Sequence, residues 1–138
     1  MTAFRILIVE DNNHYRQLLK ETLHSGFAKT EIVEAIEGEE ALQKVKTFLP
    51  HLVFMDIKLP GESGLAITQK IKSQYPEISV IILTSYDLPE YREAAKQYQA
   101  NHFLSKGTTT KEDILEMVKS ILSNQNIDLN GHDPREPY

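Results

Sequence analysis

The stretch HLVFMD, residues 51–56, is a short apolar run that ends directly at an aspartate. Short runs of β-branched and apolar residues indicate strands. Four further runs of this kind occur in the 138-residue chain: RILIV (5–9), TEIVEA (30–35), ISVIILT (78–84) and NHFLS (101–105). The sequence therefore predicts five strands.

The segments between these strands carry helical patterns. Apolar residues recur there three and four positions apart, as expected of an amphipathic helix. They are Tyr15, Leu18, Leu19 and Leu23; Ala41, Leu42, Val45 and Leu49; Ile67 and Ile71; and Ile114, Leu115, Val118, Ile121 and Leu122. Residues 12–13 supply an N-cap for the first helix, and residues 109–113 supply a capping-box pattern for the last. Strict alternation of strand and helix predicts a parallel sheet with helices on both faces.

Two segments depart from this pattern. Tyr91, Ala94, Ala95 and Tyr98 give the fourth helix (88–98) a stripe of small and half-polar residues, so we expect it to bury little area and to be among the less stable parts. Residues 123–138 are polar and are interrupted by glycine and proline. We therefore predict one domain over residues 1–122 and a flexible polar tail over residues 123–138.

Composition narrows the function classes. Twenty acidic and fifteen basic residues give a net charge of −5 without a cluster of lysine or arginine, so direct binding of nucleic acid is not expected. There are no cysteines, which fits a reducing compartment. The apolar runs are far below the ~20 residues that cross a bilayer. We expect a soluble, cytoplasmic protein.

Polar residues stand where the predicted strands end. They are Glu10 and Asp11 after the first strand, Asp56 after the third, Thr84 and Ser85 after the fourth, and Lys106 after the fifth. In an open parallel sheet the ligand crevice lies at the carboxyl ends of the strands. We therefore expect these side chains to meet in one cleft.

Three clustered carboxylates repel one another unless a cation lies between them. Mg²⁺ prefers oxygen ligands, needs only one or two carboxylates and keeps several waters. We predict that Asp11 and Asp56 bind Mg²⁺ directly, that Glu10 acts through water, and that the carbonyl of Lys58 supplies a third protein oxygen.

The remaining groups suit phosphoryl transfer. A carboxylate is a competent nucleophile toward phosphorus, and a bound metal neutralises charge on the transferring oxygens. Asp56 is the predicted phosphoacceptor. Lys106 and the Thr84 hydroxyl are predicted to stabilise the phosphoryl oxygens.

The segments MDIKLPGESG around Asp56, ILIVED upstream, and ILTS and FLSKG downstream resemble the receiver domain of response regulators, the CheY-like family of two-component signalling. The resemblance covers residues 4–122. It implies an α/β flavodoxin-like (βα)5 three-layer sandwich with strand order 2-1-3-4-5. Gly107, directly after Lys106, is similar to receivers joined to LuxR-type DNA-binding modules, which implies a role in transcription regulation.

The resemblance also implies how the domain would signal. Asp56 takes its phosphoryl group from a sensor histidine kinase or a phosphotransfer protein, and Thr84 and Phe103 form the switch pair. Their movement reshapes the face made by the fourth helix, fifth strand and fifth helix, and this change controls a partner or output domain. The same face is a candidate surface for a homodimer. Such a domain is not an enzyme, although it assists its own phosphorylation and dephosphorylation.

Three other functions share parts of this pattern. A phosphatase of the haloacid dehalogenase type needs a second aspartate two residues after the nucleophile, where this chain has Lys58. A flavodoxin needs a phosphate cradle in its first loop, where EDNNHY would repel phosphate. A receiver-like protein-binding module that acts without phosphorylation stays open as the alternative.

Overall fold

The computed structural model describes residues 4–125, which form a five-stranded parallel sheet with helices on both faces. The elements are β1 Arg5–Val9, α1 Asn13–Gly26, β2 Glu31–Ala35, α2 Gly38–Phe48, β3 Leu52–Met55, α3 Gly64–Gln74, β4 Ser79–Thr84, α4 Pro89–Gln97, β5 His102–Ser105 and α5 Lys111–Asn124. The strand order is β2-β1-β3-β4-β5, and every neighbouring pair is parallel. The predicted flavodoxin-like α/β sandwich is confirmed.

The core consists of two apolar clusters, one on each face of the sheet. Successive residues of a strand point to opposite faces, so Ile6 and Ile8 join one cluster while Leu7 and Val9 join the other. Helices α1 and α5 complete the first cluster, and α2, α3 and α4 complete the second. The central strands are buried on both faces, which explains why their sequences are continuously apolar.

The helix ends agree with the sequence signals. Asn12 is the N-cap of α1, and its Oδ1 accepts a hydrogen bond from the backbone N–H of Tyr15 at 2.8 Å. Thr110 and Asp113 form the predicted capping box of α5, with bonds of 3.0 and 2.9 Å. These caps fix where α1 and α5 begin, next to the edge where the strands end.

Helix α4 contributes few buried side chains to the second cluster. Among its residues only Ala95 is fully buried, and its N-cap Leu88 makes no side-chain hydrogen bond. The small burial expected for this helix is confirmed, while its lower stability stays a prediction.

Helix α5 continues two residues past the boundary predicted at residue 122. The rest of the predicted tail, residues 126–138, lies outside the described residues. Between residues 4 and 125, no helix has the length and hydrophobicity needed to cross a membrane.

Candidate functional site

Three carboxylates meet at the carboxyl edge of the sheet, as predicted. Glu10 and Asp11 follow β1 and Asp56 follows β3, and one oxygen of each lies within 4.8 Å of the others. Glu10 and Asp56 are buried, with exposures of 3% and 7%, whereas Asp11 is exposed. An all-oxygen donor set with one side open to solvent suits a hard divalent cation that keeps part of its water shell.

Lys106 is the cation that the chain itself supplies to this cluster. It reaches the site from the end of β5, and its ammonium contacts Glu10 Oε1 and lies 3.3 Å from Asp56 Oδ2. Burial raises the pKa of Glu10, while hydrogen bonds from Lys106 and from the backbone N–H of Asn12 act in the opposite direction. One ammonium therefore contacts two buried carboxylates of a cluster that holds three.

Asp56 is held by its neighbours on both sides. Its backbone N–H donates to the carbonyl of Val9 at 3.0 Å, and its Oδ1 accepts from the backbone N–H of Ile57 at 2.8 Å. The start of α3 packs against its carbonyl at Gly64, where a Cβ atom would lie only 1.8 Å from the Asp56 oxygen. Sequence analysis did not identify Gly64, although a glycine just before an apolar helical pattern is a signal for such a close approach.

The loop between β1 and α1 is fixed by Arg16, which the sequence analysis also missed. Its guanidinium donates to the backbone carbonyl of Glu10 at 2.8 Å and to Glu34 Oε1 in β2 at 2.9 Å. The arginine thus ties the acidic loop to the neighbouring strand. No sequence signal separates it from a surface arginine, because its partner Glu34 is 18 residues away.

The aromatic ring of Tyr15 lies beside Lys106. The sequence predicted Tyr15 only as part of the apolar face of α1. Its ring centroid lies 4.4 Å from the Lys106 ammonium. Burial and the negative charges of Glu10 and Asp56 raise the pKa of the phenol to about 12. The ring therefore stays neutral at physiological pH.

Thr84 stands at the end of β4, at the same sheet edge as Asp56. Its side chain is fully buried, and Oγ1 accepts a hydrogen bond from the backbone N–H of Tyr86 at 3.2 Å. Its carbonyl accepts from the backbone N–H of Lys106 at 2.9 Å, which joins the ends of β4 and β5. Ser85 next to it is exposed, so of this hydroxyl pair only Thr84 is enclosed in the core.

Lys58 lies two residues past Asp56, with its ammonium 5.2 Å from the ring centroid of Tyr86 and 5.5 Å from that of Tyr91. The side chain therefore reaches toward α4, and the predicted metal-binding role of its carbonyl stays a prediction.

Phe103 lies farther from the carboxylates, in the middle of β5. It is half-buried and pairs with Ile82 in β4. The guanidinium of Arg92 in α4 covers its ring at 4.7 Å and makes two bonds with Asp87, of 2.5 and 3.0 Å. The ring thus lies between the sheet and the exposed surface of α4, and its role in switching stays a prediction.

Comparison with known proteins gives consistent matches. The sequence model of the response regulator receiver domain matches residues 6–119. The transcriptional activator protein ExaE of Pseudomonas putida is 36% identical over 118 residues, which are 86% of this chain and 55% of that protein. The chain spans about half the length of the curated relatives it matches.

Two solved structures show the same fold. A DNA-binding response regulator of the LuxR family from Staphylococcus aureus gives a TM-score of 0.77 at 27% identity, over 86% of this chain and 98% of that chain. The response regulator TrrA of Thermotoga maritima, in complex with Mg²⁺-BeF, gives 0.76 at 35% identity, over 88% of this chain and 100% of that chain. The predicted similarity to LuxR-type regulators is confirmed.

Proposed function

This chain belongs to the response regulator receiver domain family, and from that premise we propose that Asp56 accepts a phosphoryl group from a sensor histidine kinase or a phosphotransfer protein. The domain would then act as a signalling switch for a partner or for an output domain. ExaE is a transcriptional activator, which supports transcription regulation as the output. The expected location is the cytoplasm, where such kinases present their phosphohistidine.

The carboxylate cluster supports a requirement for Mg²⁺. Asp11 and Asp56 would bind the ion directly, Glu10 would act through water, and the Lys58 carbonyl would complete the protein ligands. The three carboxylates fit this ion, because one oxygen of each lies within 4.8 Å of the others and together they carry more negative charge than Lys106 neutralises. When bound, Mg²⁺ would neutralise charge on the oxygens of the transferring phosphoryl group. The TrrA complex contains this ion.

The chemistry follows from the contacts of Asp56. A carboxylate oxygen attacks phosphorus, the P–N bond to the donor histidine breaks, and its electron pair stays on the imidazole. Lys106, 3.3 Å from Asp56 Oδ2, needs only a small movement to contact a phosphoryl oxygen. Thr84 would donate its hydroxyl hydrogen to another. In dephosphorylation water attacks phosphorus, the P–O bond to Asp56 breaks with its electron pair on the carboxylate, and the water gives up a proton to the phosphate or to solvent. Lys106 and Thr84 would stabilise the phosphoryl oxygens in this step as well, so the domain would assist both steps.

The switch would act through Thr84 and Phe103. Attraction of Thr84 toward the phosphoryl group would open space beside β4, and Phe103 would turn inward from beneath Arg92. The face made by α4, β5 and α5 would change shape, and α4 offers the least resistance because it buries so little area. The same face is the proposed homodimer surface. Phosphorylation can shift the equilibrium only by differential contacts in the two states.

One observation carries this function: Lys106 lies between two buried carboxylates at the edge where β1, β3 and β5 end. The test is intact-protein mass after incubation with Mg²⁺ and acetyl phosphate. Parent protein and Asp87→Asn should each gain one phosphoryl group, while Asp56→Asn and a metal-chelated sample should gain none. Asp87 is an exposed aspartate outside the cluster, so it controls for non-specific labelling.

A parent protein that gains no mass, while a known receiver is labelled beside it, would refute phosphoacceptance. The receiver-like module that binds its partner without phosphorylation would then be the better function. Equal labelling of Asp56→Asn and the parent would place the acceptor elsewhere.

A further inference from the structure

Lys106 has a third neighbour besides its two carboxylates. The face of Tyr15 lies 4.4 Å from the ammonium, within the range of a cation–π contact. The Lys106 side chain is only 13% exposed, so little water competes for this ammonium. A cation–π contact is stronger when the cation is desolvated.

A ring of contacts joins Tyr15 and Lys106 through Glu10 and Asn12. Glu10 Oε2 accepts from the backbone N–H of Asn12 at 3.0 Å, and Asn12 Oδ1 accepts from the backbone N–H of Tyr15 at 2.8 Å. The Tyr15 ring contacts the Lys106 ammonium, which returns to the other oxygen of Glu10. The helix cap that begins α1 therefore also places the ring against the lysine.

Beyond this contact lies space into which the lysine could move. A cavity of about 140 Å³ separates the starts of α1 and α5, and Tyr15 and Lys106 both line it, with Leu18, Thr22, Thr109 and Ile114 around them. The ring lines this cavity with its centroid 4.4 Å from the ammonium. A smaller side chain at position 15 would enlarge this space and admit water to the lysine.

We propose that Tyr15 is a positioning residue, whose aromatic face confines the Lys106 ammonium to the carboxylate pocket. This inference rests on the proposed function, since a confined ammonium matters when a phosphoryl group arrives on Asp56. The face of the ring is what is needed, and the phenol hydroxyl is not.

The test compares Tyr15→Leu, which removes the ring, with Tyr15→Phe, which keeps it. Tyr75→Leu is the matched control, because Tyr75 is half-buried against the other apolar cluster, at the end of α3. With saturating Mg²⁺, the maximal rate constant of phosphorylation by acetyl phosphate should fall by roughly fivefold in Tyr15→Leu. Tyr15→Phe and Tyr75→Leu should stay within about twofold of the parent.

A second readout needs no phosphorylation. Ring current should shift the Lys106 Hε proton resonances upfield in the parent and in Tyr15→Phe, and this shift should disappear in Tyr15→Leu. Absence of the upfield shift in the parent, which requires no variant to fold, would overturn the inference. So would an unchanged rate in a folded Tyr15→Leu, or an equal loss in Tyr15→Phe.

The two readouts also separate this inference from the proposed function. If the parent gains no phosphoryl group, the proposed function fails, and the contact is then decided by the Lys106 resonances alone. If the parent is phosphorylated and Tyr15→Leu changes neither rate nor resonances, the proposed function stands and Tyr15 has no positioning role.

Discussion

Replacement of Gly64 by alanine is the sharpest test of how α3 positions the acceptor. The new Cβ atom would lie 1.8 Å from the carbonyl oxygen of Asp56, 2.8 Å from its carbonyl carbon and 3.0 Å from Cγ of Met55. The first two neighbours are backbone atoms of the residue that carries the proposed chemistry. No flexible side chain can move aside to relieve the contact.

The size of the effect follows from these distances. A separation of 3.0 Å is the shortest that real Cβ atoms reach, so α3 and the Asp56 backbone must move apart by about 1.2 Å. Overpacking of this kind costs about 1–3 kcal/mol of unfolding free energy. A misplacement of ~1 Å can also lower a rate by ~10²-fold. Helix propensity alone would predict the opposite sign, since alanine is better than glycine in a helix by up to about 1 kcal/mol.

The assay combines urea unfolding with the rate of phosphorylation by acetyl phosphate. Gly107→Ala is the matched control, because a Cβ there meets only Ser105 Oγ at 3.8 Å, an ordinary contact. We expect Gly64→Ala to lose about 1–3 kcal/mol of stability and to react about a hundredfold more slowly. Gly107→Ala should change stability by less than about 0.5 kcal/mol. A Gly64→Ala protein as stable and as reactive as the control would refute this account of the α3 contact.

Lys72→Met should lower the free energy of unfolding in urea by about 3 kcal/mol, because the buried ammonium donates to three oxygens at 2.7–3.1 Å and these would lose that donor. A loss below about 1 kcal/mol would contradict this. Arg16→Gln should weaken Mg²⁺ binding, measured by calorimetry, by about tenfold, because the loop that carries Glu10 loses its connection to Glu34. Lys20→Gln is the control, since it removes only a 3.4 Å ion pair with Glu34 and should leave Mg²⁺ binding unchanged. Partial desolvation lowers the pKa of the imidazole of His102, a surface residue at the start of β5, below 6.5. The unfolded state therefore binds more protons just below pH 6.5, and stability should rise with pH there; His102→Asn should flatten that part of the profile.

The fold and the carboxylate cluster could be predicted because both depend on short strand patterns and on one rule of topology, that parallel strands end at the same edge of the sheet. Each strand is a short run rich in apolar residues, so HLVFMD alone identifies β3 and its end just before Asp56. Parallel strands end at the same edge, so Glu10 and Lys106 could be brought together although 96 residues separate them. Strand ends were predicted to within about one residue, which is the ordinary scatter of element boundaries.

The supporting residues could not be predicted in the same way, because they lie on helices or at helix starts. Periodicity places Tyr15 on the apolar face of α1, but the Lys106 contact depends on how far α1 is rotated and where it crosses the sheet. Lys72 has the sequence character of a solvated lysine and is 7% exposed, because its stem runs along α3 to carbonyls of the next loop. Gly64 stands before an apolar helical pattern, which signals a close backbone approach, but the sequence does not show that the neighbour is the carbonyl of Asp56.

Tyr15, Arg16 and Gly64 share one physical task, which is to keep the buried charges of the carboxylate pocket in place before any ligand arrives. Glu10 and Asp56 are nearly excluded from water, and a single ammonium serves both, so loss of the Lys106 ammonium leaves two buried carboxylates with only backbone N–H donors and no cation. Loss of one member of such a pair costs more than its formation gains. Arg16 donates to the carbonyl of Glu10, and the close approach of Gly64 fixes the backbone of Asp56. The ring of Tyr15 restricts the position of the Lys106 ammonium. The resting site is therefore rigid but short of positive charge, which is the condition in which a divalent cation and a transferable phosphoryl group would be bound with little rearrangement.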